Sequence, residues 1–490
     1  MRAELNLAAA DLGAESGRVI YGHFANDRLS IEEVHRFRNQ SVFLNKYLYW
    51  DFLNLFHNIT EGLRKLALNI SELQGVAVDT WGVDYGLLDS LGHLLANPVS
   101  YRDHRTDNIL PAVFDRVDEQ EFYRRTGIQV MPINTSCQLT ALLNENPKQL
   151  DAAEDLLFMP ALFSYFLSGV MANDTTIAST SQLYDPKARD WAFDLAESLG
   201  LPARLFKPAV APGTVLGGLT AFVDGLFADA KVIAVGGHDT ASAVAAVPTE
   251  QEDFIYISCG TWSLVGTELR EPILTEEART LNFSNEVGVE DTIRFLKNVM
   301  GLWLLQECRR SWARAGKEYD YSDLMAEGTK AEAWRTLLNP DDQLFLNPTD
   351  MPTAIAEYAK RTGQPVPETV GQFVRCIVES LALKYWWVIE RIQELTGVDY
   401  DCIHIVGGGT QNEFLVQLTA DVTGQTVVAG PIEATAIGNI LMQAKALGSL
   451  SDLAHLRQVV RNSFDVKKYQ PKDLPQEIKE IKRRFEELNR

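Results

Sequence analysis

The chain is short of basic charge. Its 45 Lys and Arg face 66 Asp and Glu, a formal net charge of -21 at pH 7. Nucleic acid needs a basic partner surface, so nucleic-acid binding is excluded as a function class. Cysteine is scarce as well. Cys137, Cys259, Cys308, Cys376 and Cys402 are dispersed and form no Cys-x-x-Cys pair. That spacing speaks against a disulfide framework or a zinc site and fits reduced thiols in a cytoplasmic protein. Long apolar runs are missing, so no membrane span is expected. MRAELNLAAADLGAESGR at the start lacks the apolar stretch of a secretion signal, and none is expected. In so acidic a chain, an anionic ligand must be held by backbone N–H groups, a few cations and a metal.

What is present reads as an ordinary soluble α/β protein, with 46% hydrophobic and 23% charged residues. At 490 residues it exceeds one core, so two domains are expected, 1–248 and 249–490. The central stretch is VIAVGGHDTASAVAAV, Val232 to Val247. An apolar strand turns at Gly236 and Gly237, presents His238, Asp239 and Thr240, and continues as a helix of small residues. Such a turn exposes polar side chains at the carboxyl end of a sheet. Asp239 there suits either of two roles, a carboxylate that accepts a hydroxyl proton or a helix N-cap.

Other glycine turns surround it. Leu5 to Ala10, DLGAESGR (Asp11 to Arg18) and Val19 to Gly22 read as a hairpin. Its turn converges backbone N–H groups, the Ser16 hydroxyl and the Arg18 charge, which suits a phosphate or a plain tight turn. A second glycine hairpin, SCGTWSLVG, begins at Ser258, and HIVGGGTQN from His404 joins a strand to a helix through three glycines. Those glycines admit close approach by a flat base or its phosphates. Phe52 to Ala67 and Phe373 to Leu395 have helical apolar spacing, and a charged amphipathic helix is expected at the end, within 474–490. DTWGVD from Asp79 places carboxylates beside Trp81, a sugar platform or a packed indole. Gln120 to Ala172 reads as mainly helical and peripheral, with an irregular segment from Gly127 to Leu139, and Thr175 to Asp185 as a loop. Phe295 to Cys308 reads as a helix with Val299, Leu302 and Trp303 on one face, and Lys297 as a further cation.

Taken in order, DLGAESGR, DTWGVD, YRDHRT at Tyr101, GGHDTASAV at Gly236, SCGTWSL, LKNVMGLWLLQ at Leu296 and HIVGGGTQN resemble the FGGY carbohydrate kinases over nearly the whole chain. The resemblance implies two ribonuclease-H-like (actin-like ATPase) domains with an interdomain cleft. It also implies transfer of a phosphoryl group from ATP, with Mg2+, to O1 of L-rhamnulose. L-fuculose and other ketoses are the alternatives, and an ATP-gated binding or assembly protein is the non-enzyme one. By the same resemblance Asp239 is the proton acceptor, and Gly82, His238, Thr240 and Asn298 contact sugar. Ala14, Glu15, Ser16, Gly17, Arg18 and Thr261 contact phosphates, Gln306 and Gly408 contact the nucleotide, and Asp11 is an outer metal ligand. One departure stands out. Ala14 occupies a place where the broader pattern has Thr, so only backbone can bind phosphate there, and Glu15 adds a carboxylate. A monomer or homodimer is expected.

Overall fold

The computed structural model describes residues 4–220, 225–474 and 476–489. The chain forms two compact units. The first is Met1–Glu250, Glu268–Phe295 and Glu433–Phe464; the second is Gln251–Thr267, Leu296–Ile432 and Asp465–Arg490. A single cut after residue 248 therefore marks only the first of five crossings between units. The later ones have no composition change to announce them.

The first unit is built on a six-stranded sheet. Its strands are β1 (Leu5–Leu12), β2 (Ser16–Ala25), β3 (Arg28–Arg38), β4 (Gly75–Thr80), β5 (Thr214–Gly218) and β6 (Lys231–Ala234), in the order β5-β6-β4-β1-β2-β3. β1 pairs antiparallel with β2 across the DLGAESGR turn and parallel with β4, which in turn runs parallel to β6. The carboxyl ends of three parallel strands thus carry Asp11, Asp79 and the Gly236–Thr240 turn. Helix α1 (Phe52–Ala67) covers the sheet with the apolar face expected, burying Phe52, Leu55, Ile59, Leu63 and Leu66. Helix α2 (Asp239–Ala245) is short and made of small residues because the Ala434–Ala446 helix lies hard against it. A Cβ on Gly438 would fall 1.8 Å from the Ser242 carbonyl oxygen.

Two expectations fail in this unit, and one open alternative is decided. Thr135–Glu145 is a helix, so the segment from Gly127 is irregular only as far as Asn134. Its residues 135–142 are all buried, not peripheral. Thr175 to Asp185 is no open loop but a buried helical turn, Thr175–Ala178, a 3-10 turn and a short strand. Asp174 starts it by accepting from the N–H groups of Thr176 and Ile177, and the Ser179, Thr180 and Ser181 hydroxyls donate to the backbone carbonyls of Thr176, Ile177 and Ala178. Trp81 is a packed indole. It lies 4.3 Å from Trp50 between ring centroids and donates, with Trp50, to the buried Asp84 carboxylate.

In the second unit β7 (Ile255–Cys259) pairs antiparallel with β8 (Trp262–Leu269) and parallel with β9 (Cys402–Val406). β9 pairs parallel with β10 (Thr426–Ala429), and β10 antiparallel with β11 (Lys467–Tyr469). The 27-residue Val370–Thr396 helix is opened by a capping box of Thr369 and Gln372 and closed by Gly397 in the left-handed region. The amphipathic Ile478–Leu488 helix buries Ile481 and Phe485. Phe295 to Cys308 is not one helix. Strand Ile293–Met300 ends at Gly301 and a helix, Trp303–Arg314, begins beyond it. Gly301 forces the break, because a Cβ there would lie 2.6 Å from the Ser263 hydroxyl oxygen. Val299 and Trp303 consequently belong to different elements, and Asn298 is a strand residue. All five cysteines are unpaired, four of them buried. Among the described residues no helix is long and apolar enough to cross a membrane.

Candidate active site

The site in the first unit is assembled at the ends of β1, β4 and β6. Backbone ties hold the central turn rigidly. Thr80 N donates to Gly237 O at 2.9 Å, and Ser242 Oγ donates to Gly236 O at 2.7 Å. Gly237 N reaches Asp174 Oδ1 at 3.3 Å, and a Cβ on Gly237 would lie 2.1 Å from the other Asp174 oxygen. The segment first read as a loop is thus the floor of this turn.

His238, not Asp239, is the N-cap residue of α2, and it caps without a side-chain hydrogen bond. Asp239 is the first helical residue, and its carboxylate is therefore free of the capping role. Its side chain keeps 29% exposure, and Thr240 Oγ1 donates to Oδ1 at 3.0 Å. A carboxylate at a helix N-terminus is favoured by the helix dipole. Burial nevertheless raises the carboxyl above the ordinary aspartate range, and nearby Asp11 adds to the rise. His238 and the Thr240 hydrogen bonds act against it. The remaining exposure tempers the burial effect.

Asp79, fully buried beside this turn, is the most perturbed acid here. Burial first, then Asp11, push its carboxyl well up, while Asn439 Nδ2 donates to Oδ2 at 2.6 Å. Asn439 is oriented by Gln443, which also donates to Ala8 O on β1 at 2.9 Å. Arg18 reaches across the hairpin to Asp11 at 2.5 Å and to Glu433. Burial works against its charge, but the two carboxylates outweigh that and push the guanidinium up. In the turn itself, Gly13 N donates to Ser16 O at 2.9 Å, and Asn39 Nδ2 ties down Gly13 O at 2.8 Å. Gly17 is required by packing, since a Cβ would meet the Phe37 ring at 2.3 Å. Ala14, Glu15 and Ser16 are left half-buried at the tip. Gly82 faces His238, with a Cβ position 3.4 Å from Nε2.

The structure thus brings Asp11, Ala14 to Arg18, Gly82, His238, Asp239 and Thr240 together within the first unit. It adds residues that the sequence reading missed: Asp174, Glu286, Arg294, Glu433, Asn439 and Gln443. Some of these had a signal. Asn439 and Gln443 are amides four apart on an otherwise apolar helix, and Arg294 interrupts an apolar strand.

The second unit holds Thr261, Asn298, Gln306 and Gly408. The carbonyls of Gly260 and Thr261 accept from Leu302 N and Trp303 N, so the glycine hairpin carries the start of the Trp303–Arg314 helix and hence Gln306. Gln306 Oε1 is buried with no hydrogen-bond partner among the described residues. The three glycines divide by cause. Gly407 has φ +88° and a Cβ position 3.0 Å from Cys259 O, and a Cβ on Gly409 would strike Cys259 Sγ at 2.1 Å. Gly408 has nothing within 4 Å and is exposed, so its backbone is the one open to a ligand. Lys297 is buried, and burial followed by Lys384 pushes its ammonium down to about 7. It is a weak candidate for anchoring phosphate.

Among the described residues, no group of three or more His, Cys, Asp or Glu is arranged to hold a metal ion.

Comparison with known proteins gives the family. Residues 7–246 match the N-terminal domain of the FGGY family of carbohydrate kinases, and residues 255–447 match its C-terminal domain. The chain is 45% identical to a rhamnulokinase of Bacteroides thetaiotaomicron, over 96% of each chain. It is 39% identical to a rhamnulokinase of Bacillus subtilis, over 95% of each. In fold it is similar to a xylulose kinase of Lactobacillus acidophilus (TM-score 0.80, 16% identity, 99% of this chain and 97% of that one). A Plasmodium falciparum glycerol kinase with ADP gives TM-score 0.77 at 13% identity over the same shares. The chain belongs to the FGGY family of carbohydrate kinases and has their two-domain, actin-like ATPase fold.

Proposed function

We propose that this sugar kinase phosphorylates L-rhamnulose at O1 with ATP, giving L-rhamnulose 1-phosphate and ADP in the cytoplasmic breakdown of L-rhamnose. The observation that carries the substrate is the 39–45% identity to rhamnulokinases over nearly the full length of both chains. The site chemistry supports the reaction type. Asp239 is a half-exposed carboxylate on a rigid turn, with its pKa moved toward neutrality, as a general base requires.

In this reading Asp239 orients the O1 hydroxyl and accepts its proton as the γ-phosphoryl group transfers. Phosphoryl transfer passes through a loose transition state, so positioning outweighs base strength. His238, Thr240, Gly82 and Asn298 hold the sugar. The tip Ala14 to Ser16 offers backbone N–H groups to phosphate, and Arg18 supplies charge behind Gly17. Thr261 binds phosphate in the second unit, Gln306 offers its bare oxygen to the nucleotide, and Gly408 lets the base lie against backbone. Asp11 is the carboxylate that would hold Mg2+, which when bound would supply positive charge to offset the phosphates. The protein works as a monomer or homodimer.

The test is coupled ADP release with Mg·ATP and a panel of L-rhamnulose, L-fuculose, D-xylulose and glycerol. A kcat/KM for L-rhamnulose at least about tenfold above the others, ~1.4 kcal/mol of discrimination, is expected. A preference for another sugar would overturn the substrate assignment. Asp239→Asn should keep ATP binding and lower turnover by about 10²–10⁴-fold. Near wild-type turnover in that variant would remove Asp239 from the chemistry.

A further inference from the structure

The strand Tyr85–Leu88, the 3-10 turn His104–Thr106 and the end of the helix Thr135–Glu145 line a pocket of about 90 Å³, all of whose residues belong to the first unit. It shares no residue with the Asp239 site. Leu87 and Leu142 give it an apolar wall, Arg105 and Tyr85 a polar one, and the exposed Asn97 and Asn146 stand at its rim.

The polar wall is short of acceptors. Tyr85 is 6% exposed, and its hydroxyl is buried with no hydrogen-bond partner among the described residues. Arg105 Nε is buried in the same condition. The guanidinium makes one side-chain hydrogen bond, from its NH2 group to Gln138 Oε1 at 2.7 Å. It is near enough to Tyr85 to favour the phenolate, although burial is the larger effect and raises the phenol's pKa. Buried donors are almost always engaged, so two idle ones side by side call for an acceptor atom in the pocket.

Charge says what kind of acceptor. Among the described residues Arg105 forms no ion pair. Asp84 lies beyond Gln138, whose Nε2 donates to it at 2.9 Å, and Glu145 is engaged by the Tyr47 hydroxyl and the Lys46 ammonium. Water would satisfy the donors but not the charge. One guanidinium without a carboxylate in contact matches one negative charge, and a dianion would leave a second charge unmatched in a chain already at -21. A planar carboxylate suits the fork of guanidinium N–H donors, while Leu87 and Leu142 suit a short alkyl stub. The volume is below the roughly 150 Å³ of a cavity that takes benzene, which bounds the occupant to about six heavy atoms.

We propose that this pocket binds a short-chain monocarboxylate, its oxygens held by Arg105 Nε and the Tyr85 hydroxyl. The site stands apart from the phosphoryl-transfer chemistry and does not depend on which sugar the enzyme takes.

The test is saturation-transfer 1H NMR with propionate and the full-length enzyme at constant ionic strength. Propionate should receive saturation from the protein and titrate with a Kd on the order of 1–10 mM. Tyr85→Phe removes a hydroxyl that holds nothing within the protein. It should keep the wild-type unfolding midpoint and weaken propionate by about tenfold, one hydrogen bond to a charged group. Arg105→Gln keeps a donor for Gln138 and should abolish binding. Asp239→Asn should bind propionate as the wild type does, and a loss there would place the ligand in the sugar site and overturn the proposal. Propionamide, of the same shape without the charge, should not bind. No transfer to propionate at tens of millimolar, or wild-type affinity in Tyr85→Phe and Arg105→Gln, would overturn the site. Equal binding of propionamide, or tighter binding of inorganic phosphate at Arg105, would overturn the monocarboxylate class.

Discussion

Gly438→Ala tests how tightly the Asp239 helix is seated. The added methyl would lie 1.8 Å from the Ser242 carbonyl oxygen and 2.6 Å from its carbon, both backbone atoms that cannot rotate away. Real Cβ contacts are not found below 3.0 Å, so the two helices must part by about 1.2 Å at that point. Overpacking of this kind costs about 1–3 kcal/mol, and a contact with backbone belongs at the upper end. Ser242 lies one turn after Asp239 on the seven-residue α2, so the helix has little length over which to absorb the shift. A displacement of about 1 Å in a reacting group can cost roughly 10²-fold in turnover. The expected result is a lower urea midpoint for the first unfolding transition together with a roughly 10²-fold loss of kcat, with KM for ATP little changed. Gly218→Ala is the control, because its Cβ position has nothing within 4 Å and its φ is unremarkable. It should stay within about 0.5 kcal/mol of wild type. A Gly438→Ala enzyme as stable and as active as the control would refute the close helix contact and the rigidity of the turn.

Asp84→Ala should be strongly destabilising, since it removes the acceptor of the buried Trp50 Nε1 and Trp81 Nε1 and one acceptor each of Gln138 Nε2 and Tyr101 N. Even with relief of the buried charge, a loss of about 3 kcal/mol is expected, read by thermal unfolding followed through tryptophan fluorescence; a change under about 0.5 kcal/mol would count against the network. The pH profile follows from Asp239. Its carboxyl is raised and must be ionised to act, so kcat/KM should fall with decreasing pH through a value above the ordinary aspartate pKa of about 3.9. A profile flat down to about pH 4 would contradict this. Asp79 is shifted in the same direction, but its effect on stability runs the opposite way with pH. Its folded form binds the proton more tightly than the unfolded chain, so its contribution is full at acid pH and is lost as pH rises through the raised value. Asp79→Asn should flatten the pH dependence of the unfolding midpoint above pH ~4; an unaltered dependence would show that Asp79 does not titrate there.

Local pattern was enough for the parts of this protein that are local. Asp11, Ala14 to Arg18 and Gly236 to Thr240 sit at strand–turn junctions, and alternating or helical apolar spacing announces the flanking elements. The structure accordingly bears out α1, the long Val370–Thr396 helix and the two glycine hairpins. Failures came where local pattern was ambiguous. Phe295 to Cys308 has helical spacing, yet Gly301 must nestle against Ser263 and Trp262, some forty residues away, and the element breaks there. Trp81 beside carboxylates looks the same in sequence whether it faces sugar or, as here, packs on Trp50. The partners of the site residues were the least readable. Asp174, Glu286, Arg294, Glu433 and Asn439 come from segments up to 415 residues from those they serve, as Glu433 is from Arg18. Hydrogen bonding and charge pairing act over a few ångströms of space regardless of sequence distance. The residue types and turns that bear the chemistry are therefore written along the chain, while their protonation and rigidity arise only when remote side chains are folded against them.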